Sequence, residues 1–380
     1  MDYDLIVIGS GPAGQKAAIQ AAKFGKSVAI IDSRAMIGGV SLHGGTIPSK
    51  TLREAILYLS GMQQRAFYGK DYAVKEKISR RDLEARVRFV ENREMQVIRD
   101  QLRRNNVNTY FGLARFVDEH TIAIESDQNP QKTLRGDNIL IACGTHPYRD
   151  PKIPFDDQSI IDVDQILDLN ELPDELVVVG AGVIGLEYAS MFAALNIEVT
   201  IVEKRASVLE FVDREIIDRL IYHLRNLNVT FRFGETLKSV KKDERGRVVV
   251  YLESGKKIVT KTLLYAVGRQ TNADSLNLKA VGLETDKRGR FDVNDRFQTA
   301  IKHIYAAGDV IGFPALAATA MEQGRLASCY MFDHEEQTFS KVVPYGIYTI
   351  PEISMIGKTE IELTEQKIPY EFGAARFDEL

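Results

Sequence analysis

Two glycine clusters in this chain have the residue types and spacing to hold phosphate. The first, Gly9-Ser10-Gly11-Pro12-Ala13-Gly14, follows the apolar residues Leu5, Ile6, Val7 and Ile8. It leads through an Ala-rich stretch to a second apolar run over 28–31 that stops at Asp32. Each glycine answers a separate demand: Gly9 the tight turn, Gly11 close approach of the backbone to a pyrophosphate, Gly14 close packing of helix on strand. The unpaired N–H groups and positive dipole end of the helix then face the phosphate. Asp32, roughly 20 residues beyond the glycines, stands where an acid meets a ribose hydroxyl. The second cluster, Gly180-Ala181-Gly182-Val183-Ile184-Gly185, follows Leu176, Val177, Val178 and Val179 and leads to an apolar run over 199–202 that ends at Glu203. Laid over the first without a gap, Gly180 falls on Gly9, Gly182 on Gly11, Gly185 on Gly14 and Glu203 on Asp32. The repeat implies two dinucleotide sites in one chain.

The elements that must position these turns can be read in order. Strands are expected over 5–8 and 28–31, with a helix between them. Leu83, Val87, Val90, Met95, Ile98 and Leu102 recur at helical spacing and predict a long amphipathic helix. Its Arg80-Arg81 and Arg103-Arg104 pairs either touch phosphate or form a solvated face. Strands follow over 107–117, 121–124 and 138–142, the last running into Cys143-Gly144-Thr145, and Pro147, Pro151 and Pro154 mark a crossing. After the second glycine cluster, runs over 248–252 and 258–260 form a hairpin around Glu253-Ser254-Gly255-Lys256, and a strand over 262–267 ends in Gly268-Arg269. The first domain then resumes. A short strand from Ile304 ends in Gly308-Asp309 and a small-residue helix is expected over 314–329. Asp309 stands either as a ligand contact at a strand's carboxyl end or as a cap for the next turn. The expected fold is α/β, with two Rossmann-like dinucleotide-binding domains, the second inserted in the first. The boundaries are 1–146, 147–269 and 270–340.

Composition narrows the function. With 49 Lys+Arg against 53 Asp+Glu the net charge is -4, so no global basic field invites nucleic acid or an anionic membrane. Apolar residues make up 44% and charged residues 27%, as in globular proteins, and no apolar run approaches a membrane span. A cytoplasmic location is expected. The two cysteines, Cys143 and Cys329, lie far apart, which leaves no CxxC pair and no cysteine zinc site, and the six histidines show no metal-ligand spacing. No metal is expected.

With these pieces placed, the sequence resembles the flavoprotein pyridine-nucleotide–disulfide oxidoreductase family and, within it, the soluble transhydrogenase branch. The residues that carry the resemblance are the two glycine clusters with Asp32, Gly38-Gly39, Gly45-Thr46-Ile47-Pro48-Ser49-Lys50, Ile141-Ala142-Cys143-Gly144, Glu187, Gly268-Arg269, 305–310 and Gly346-Ile347-Tyr348-Thr349-Ile350-Pro351-Glu352. The resemblance implies FAD in the first unit, held by Gly9, Gly11, Gly14, Asp32, Gly39, Thr46, Lys50, Gly112, Ala114, Gly144, Gly308, Asp309 and Ala317. It implies NAD(H) or NADP(H) in the second, held by Gly180, Gly182, Gly185, Glu203, Arg205 and Gly268. It places Asp309 by the flavin's ribityl chain and Lys50 by flavin N5, with Glu187 as the partner of Lys50. Lys50, Glu187 and Thr46 are thus the candidate catalytic residues.

Two departures from the family pattern shape the expected function. Members that reduce disulfides carry two cysteines in the loop between Gly39 and Pro48; the matching positions here are Ser41 and Thr46. A hydroxyl forms no mixed disulfide and accepts no electron pair, so the family's dithiol route is closed. With that route closed, the resemblance implies that hydride entering from NADPH can leave on NAD⁺ in a ping-pong transhydrogenation. The alternatives are a diaphorase that passes electrons to a quinone, and an inactive nucleotide-binding fragment. Glu203 favours the free ribose of NAD, whereas Lys204 and Arg205 either bind a 2′-phosphate or face solvent. The second departure is the ending. In the resembled family the region from Lys341 opens a dimerisation domain that runs well past Leu380, so 341–380 is expected to be its incomplete start and the homodimer interface to be partial.

Overall fold

The computed structural model describes residues 2–33, 37–69, 71–126, 129–334, 339–340 and 342–375; Lys341 and Leu380, named above, lie outside them. The strand Asp2–Ile8 sits inside a seven-stranded sheet, parallel to Val28–Asp32 on one side and to Asn129–Ile141 on the other. Leu5, Ile6, Val7 and Ile8 are all buried, because a parallel sheet is covered on both faces and its strands need not alternate. Asn108–Phe111 extends this sheet beyond Val28–Asp32, and Ile304–Ala306, far along the chain, adds a parallel strand beside the end of Asn129–Ile141. Leu113–Asp118 and Thr121–Ser126 add an antiparallel meander.

The second sheet repeats the plan. Five parallel strands lie in the order Thr230–Phe233, Glu198–Glu203, Glu175–Val179, Thr262–Tyr265, Ile160–Asp162. A three-stranded antiparallel meander, Leu237–Lys242, Val248–Leu252 and Lys257–Thr260, accompanies them. The chain crosses between the sheets twice, and the two crossings pair with each other: Thr145–Pro147 runs antiparallel to Arg269–Thr271.

Helix Pro12–Lys23 opens on proline, whose missing N–H is one the first turn leaves unpaired anyway. Its Ala-rich side receives the helix Ala317–Met331 so closely that a Cβ on Gly324 would lie 2.0 Å from the Ala13 carbonyl. That helix starts at Ala317 rather than at Pro314. The run over 107–117 is two strands, not one, because the chain turns at Gly112 with φ +147°, where a Cβ would lie 2.6 Å from the Glu125 carbonyl. The amphipathic helix spans Arg80–Arg104, and one arginine of each pair serves the helix itself: Arg80 pairs with Glu84 and Arg103 with Asp100. Among the described residues no helix is long and apolar enough to cross a membrane.

Candidate active site

Both glycine turns open into one cleft of about 1780 Å³. The turns are geometric copies. Gly9 and Gly180 have φ of +108° and +98°, and a Cβ on either would strike the backbone at the end of a neighbouring strand, 2.2 Å from the Ala142 carbonyl or 2.6 Å from that of Ala266. Cβ atoms on Gly14 and Gly185 would lie 1.9 and 2.0 Å from the carbonyls of Gly9 and Gly180. These last two glycines are packing residues and do not line the cleft. The middle glycines differ. Gly11 and Gly182 have ordinary extended backbones (φ -68° and -74°), and a Cβ on either would meet nothing within 4 Å. Neither conformation nor packing asks for glycine there. Both are helix N-caps, a position that favours glycine over alanine, and the open space in front of each helix fits a dinucleotide pyrophosphate.

The acids that end the paired strands are also alike. Asp32 Oδ2 accepts from the Ser10 N–H at 2.9 Å, and Glu203 Oε2 accepts from the Ala181 N–H at 2.8 Å. Each acid therefore braces its own glycine turn as well as reaching the cleft. Glu203 is held further: Arg205 grips it with Nε on Oε1 at 2.9 Å and Nη2 on Oε2 at 3.0 Å. Burial works to raise the Glu203 carboxyl, but hydrogen bonds from the Arg205 side chain, the Arg205 N–H and the Ala181 N–H outweigh it and hold the group below the usual carboxylate range.

Between the turns, Lys50 and Glu187 meet. Lys50 is on the helix Thr46–Ser60, which starts directly from the glycine-rich loop; Glu187 is on Val183–Ala194, the helix of the second turn. Lys50 Nζ lies 2.9 and 2.7 Å from the two Glu187 oxygens. The carboxylate is almost fully buried (5% exposed), the ammonium about a quarter exposed (27%). Tyr348 touches both: its N–H donates to Glu187 Oε1 at 2.8 Å and its ring lies 4.7 Å from Lys50 Nζ. Ser190 Oγ receives the Ile350 N–H, and Arg53 Nε donates to the Thr349 carbonyl, so the 345–352 segment is strapped across both helices.

Ser41, on the short helix Gly39–His43, and Thr46 also line the cleft, as do Gly39, Gly112, Ala114, Gly144, Gly268, Gly308, Asp309 and Ala317. Gly39 packs against the first turn, since its Cβ would lie 2.7 Å from Gly11 Cα. Asp309 follows the strand Ile304–Ala306; burial raises its carboxyl, opposed by the charge of Arg269 and a hydrogen bond from Thr145. Neither cysteine is in a disulfide, and burial pushes the thiol of Cys143, on the cleft wall, up to about 12.

Residues 3–324 match the family described as pyridine nucleotide-disulphide oxidoreductase. The chain belongs to that family. It is also 54% identical, over 100% of its length and 81% of the relative's, to the soluble pyridine nucleotide transhydrogenase of Mycobacterium bovis (strain BCG / Pasteur 1173P2). It is 42% identical, over 99% of its length and 80% of the relative's, to the enzyme of the same name from Marinomonas sp. (strain MWYL1). Among solved structures it resembles LpdA from Mycobacterium tuberculosis, with a TM-score of 0.88 and 27% identity over 95% of this chain and 80% of the other. The HOCl-induced flavoprotein disulfide reductase RclA from Escherichia coli gives a TM-score of 0.83 with 28% identity over 96% and 79%.

Within this pyridine nucleotide-disulphide oxidoreductase the sequence pointed to both turns and to Lys50 and Glu187, and the structure brings them to one cleft. It did not point to Tyr348 as the residue that holds the pair, or to Thr145 and Arg269 beside Asp309. Tyr348 and Arg269 belong to motifs that resemble the family's, but the motifs do not say what the side chains face.

Proposed function

We propose that this chain is an FAD-dependent soluble transhydrogenase that passes hydride from NADPH to NAD⁺, the two nucleotides using the second glycine turn one after the other. The observation that carries the reading is the single cleft that joins both turns at the Lys50–Glu187 pair while its 39–46 loop presents Ser41 and Thr46 in place of a dithiol. When bound, FAD supplies the two-electron chemistry, taking hydride from one nicotinamide nucleotide and giving it to another. The turn at Gly9 and Gly11 and the N–H groups at the start of Pro12–Lys23 hold its pyrophosphate, Asp32 its ribose, and Asp309 its ribityl hydroxyls. Lys50 places a fixed positive charge where negative charge develops during hydride transfer. Glu187 keeps that ammonium charged and in place, and the Tyr348 N–H in turn fixes Glu187. The test is the visible spectrum of the FAD-loaded protein without oxygen. NADPH should bleach the oxidised-flavin band and excess NAD⁺ should restore it. A band that only a quinone or oxygen restores would instead make the protein a diaphorase.

The Glu203–Arg205 grip supports a nucleotide site that prefers NAD and tolerates NADP. A ribose hydroxyl can donate to the ionised Glu203, while a 2′-phosphate must draw Arg205 away from it. Arg205→Gln should therefore raise KM for NADPH by about tenfold and leave KM for NADH within about threefold. Steady-state kinetics with each donor decides this, and equal changes for both would remove Arg205 from phosphate recognition.

A further inference from the structure

The two crossings between the sheets carry more than the chain. In their antiparallel ribbon Thr271 pairs with Thr145 and Arg269 with Pro147. Arg269 turns back across it: Nε donates to Thr145 Oγ1 at 2.9 Å, Nη2 donates to the Thr145 carbonyl at 2.9 Å, and Nη1 faces Asp164 Oδ1 at 3.7 Å. A guanidinium has donors and no acceptor. The Thr145 hydroxyl must therefore accept from Nε, and its own proton points elsewhere. It is directed at Asp309 Oδ2, 3.4 Å away. Thr145 is buried (6% exposed), and with its oxygen accepting from the guanidinium the acceptor its own proton faces is Asp309, so the sequence cation, hydroxyl, carboxylate runs one way.

Taking the first unit to be an FAD site, as proposed above, we infer that Thr145 is a positioning residue: through this one-way chain from Arg269 it holds the Asp309 carboxylate as an acceptor for the ribityl hydroxyls, and so ties FAD binding to the ribbon that joins the two units. The groups that face Asp309 are Arg269 and Thr145 from the ribbon and Tyr345 from the strand Tyr345–Ile347; Asp164 shares Arg269. Gln323 fixes the backbone just before it, since its Oε1 accepts the Gly308 N–H at 2.9 Å. Burial alone favours the protonated acid, which has lost part of its accepting capacity. Removal of the Thr145 hydroxyl takes away one of the two opposing interactions, so Asp309 gains its proton at a higher pH and FAD binding weakens as pH falls.

Thr145→Val deletes the hydroxyl at nearly constant shape and leaves the Nη2 bond to the Thr145 carbonyl. The measurement is FAD affinity of the apoprotein, by quenching of flavin fluorescence, between about pH 8 and pH 6, where one pK unit is tenfold in the protonation equilibrium. Wild type should give the flatter profile, whereas Thr145→Val should match it near pH 8 and bind more weakly as the pH falls. Thr145→Ser should restore the flat profile, and Thr145→Val combined with Asp309→Asn should abolish the pH dependence. A Thr145→Val profile that superimposes on wild type, or a loss equal at every pH with a lowered apoprotein melting temperature, would overturn the inference. Wild-type apoprotein that binds no FAD would overturn the FAD reading of the first unit instead.

Discussion

Lys50→Met should slow reduction of the bound flavin by NADPH by about 10²–10³ while the purified protein still carries FAD, because one preorganised charge at the reacting centre is typically worth that much. Rapid-mixing absorbance under anaerobic conditions reads it directly. The substitution also acts on the fold, and the geometry says in which direction. Glu187 is 5% exposed and Lys50 is 27% exposed, so the two halves of the pair are not equivalent. Without Lys50, Glu187 is left buried with the Tyr348 N–H. A stranded buried charge costs about 3–5 kcal/mol, toward the lower figure here because the lost partner was partly solvated. Without Glu187, water can reach the ammonium. Glu187→Ala should therefore destabilise the apoprotein less than Lys50→Met, although it too slows reduction. The double variant separates the effects: with neither charge present, stability should return toward wild type while reduction stays slow. Lys50→Met that is reduced at the wild-type rate would withdraw Lys50 from the chemistry, whatever its stability.

How much of this could be read from the sequence follows from the range of each interaction. The glycine turns were legible because strand, turn, helix, strand and acid lie within one local span, and because the chain says it twice. The same locality hid the second use of the acids. Spacing predicts that Asp32 and Glu203 reach a ribose; it does not reveal that each also accepts the N–H of the residue after the first glycine, since that depends on how closely two parallel strands sit. The break at Gly112 was hidden for the opposite reason. Its neighbours read as one strand would, and the close contact that asks for glycine there comes from Glu125 in the meander. The Arg269, Thr145 and Asp309 chain joins residues from three distant parts of the sequence and has no local pattern at all. The Arg80-Arg81 and Arg103-Arg104 pairs show the limit from the other side, since clusters that suggest a ligand include members that form ion pairs along their own helix.

The middle and last glycines of the first turn should respond to the same substitution in opposite ways. Gly11→Ala adds a methyl where the protein places no atom within 4 Å, on a backbone that any residue adopts. Apoprotein stability should fall by no more than about 1 kcal/mol, the cost of alanine in place of glycine at a helix N-cap. FAD affinity should fall by about 100-fold, since the methyl occupies the close approach that the pyrophosphate needs. Gly14→Ala puts its methyl 1.9 Å from the Gly9 carbonyl, inside the helix, so the helix must move away from the strand that carries the turn. That is overpacking at a rigid contact, and it should cost about 3 kcal/mol of apoprotein stability, with FAD lost as a consequence. Chemical denaturation of the two apoproteins beside FAD titration distinguishes the cases. The second turn supplies an internal control, because Gly182→Ala should leave FAD content intact and cost no more stability than Gly11→Ala while raising KM for both nucleotides by about tenfold, and Gly185→Ala, 2.0 Å from the Gly180 carbonyl, should lower stability further. Should Gly11→Ala bind FAD as wild type does, the open space before the first helix is not where the pyrophosphate lies, and the assignment of FAD to that turn fails with it.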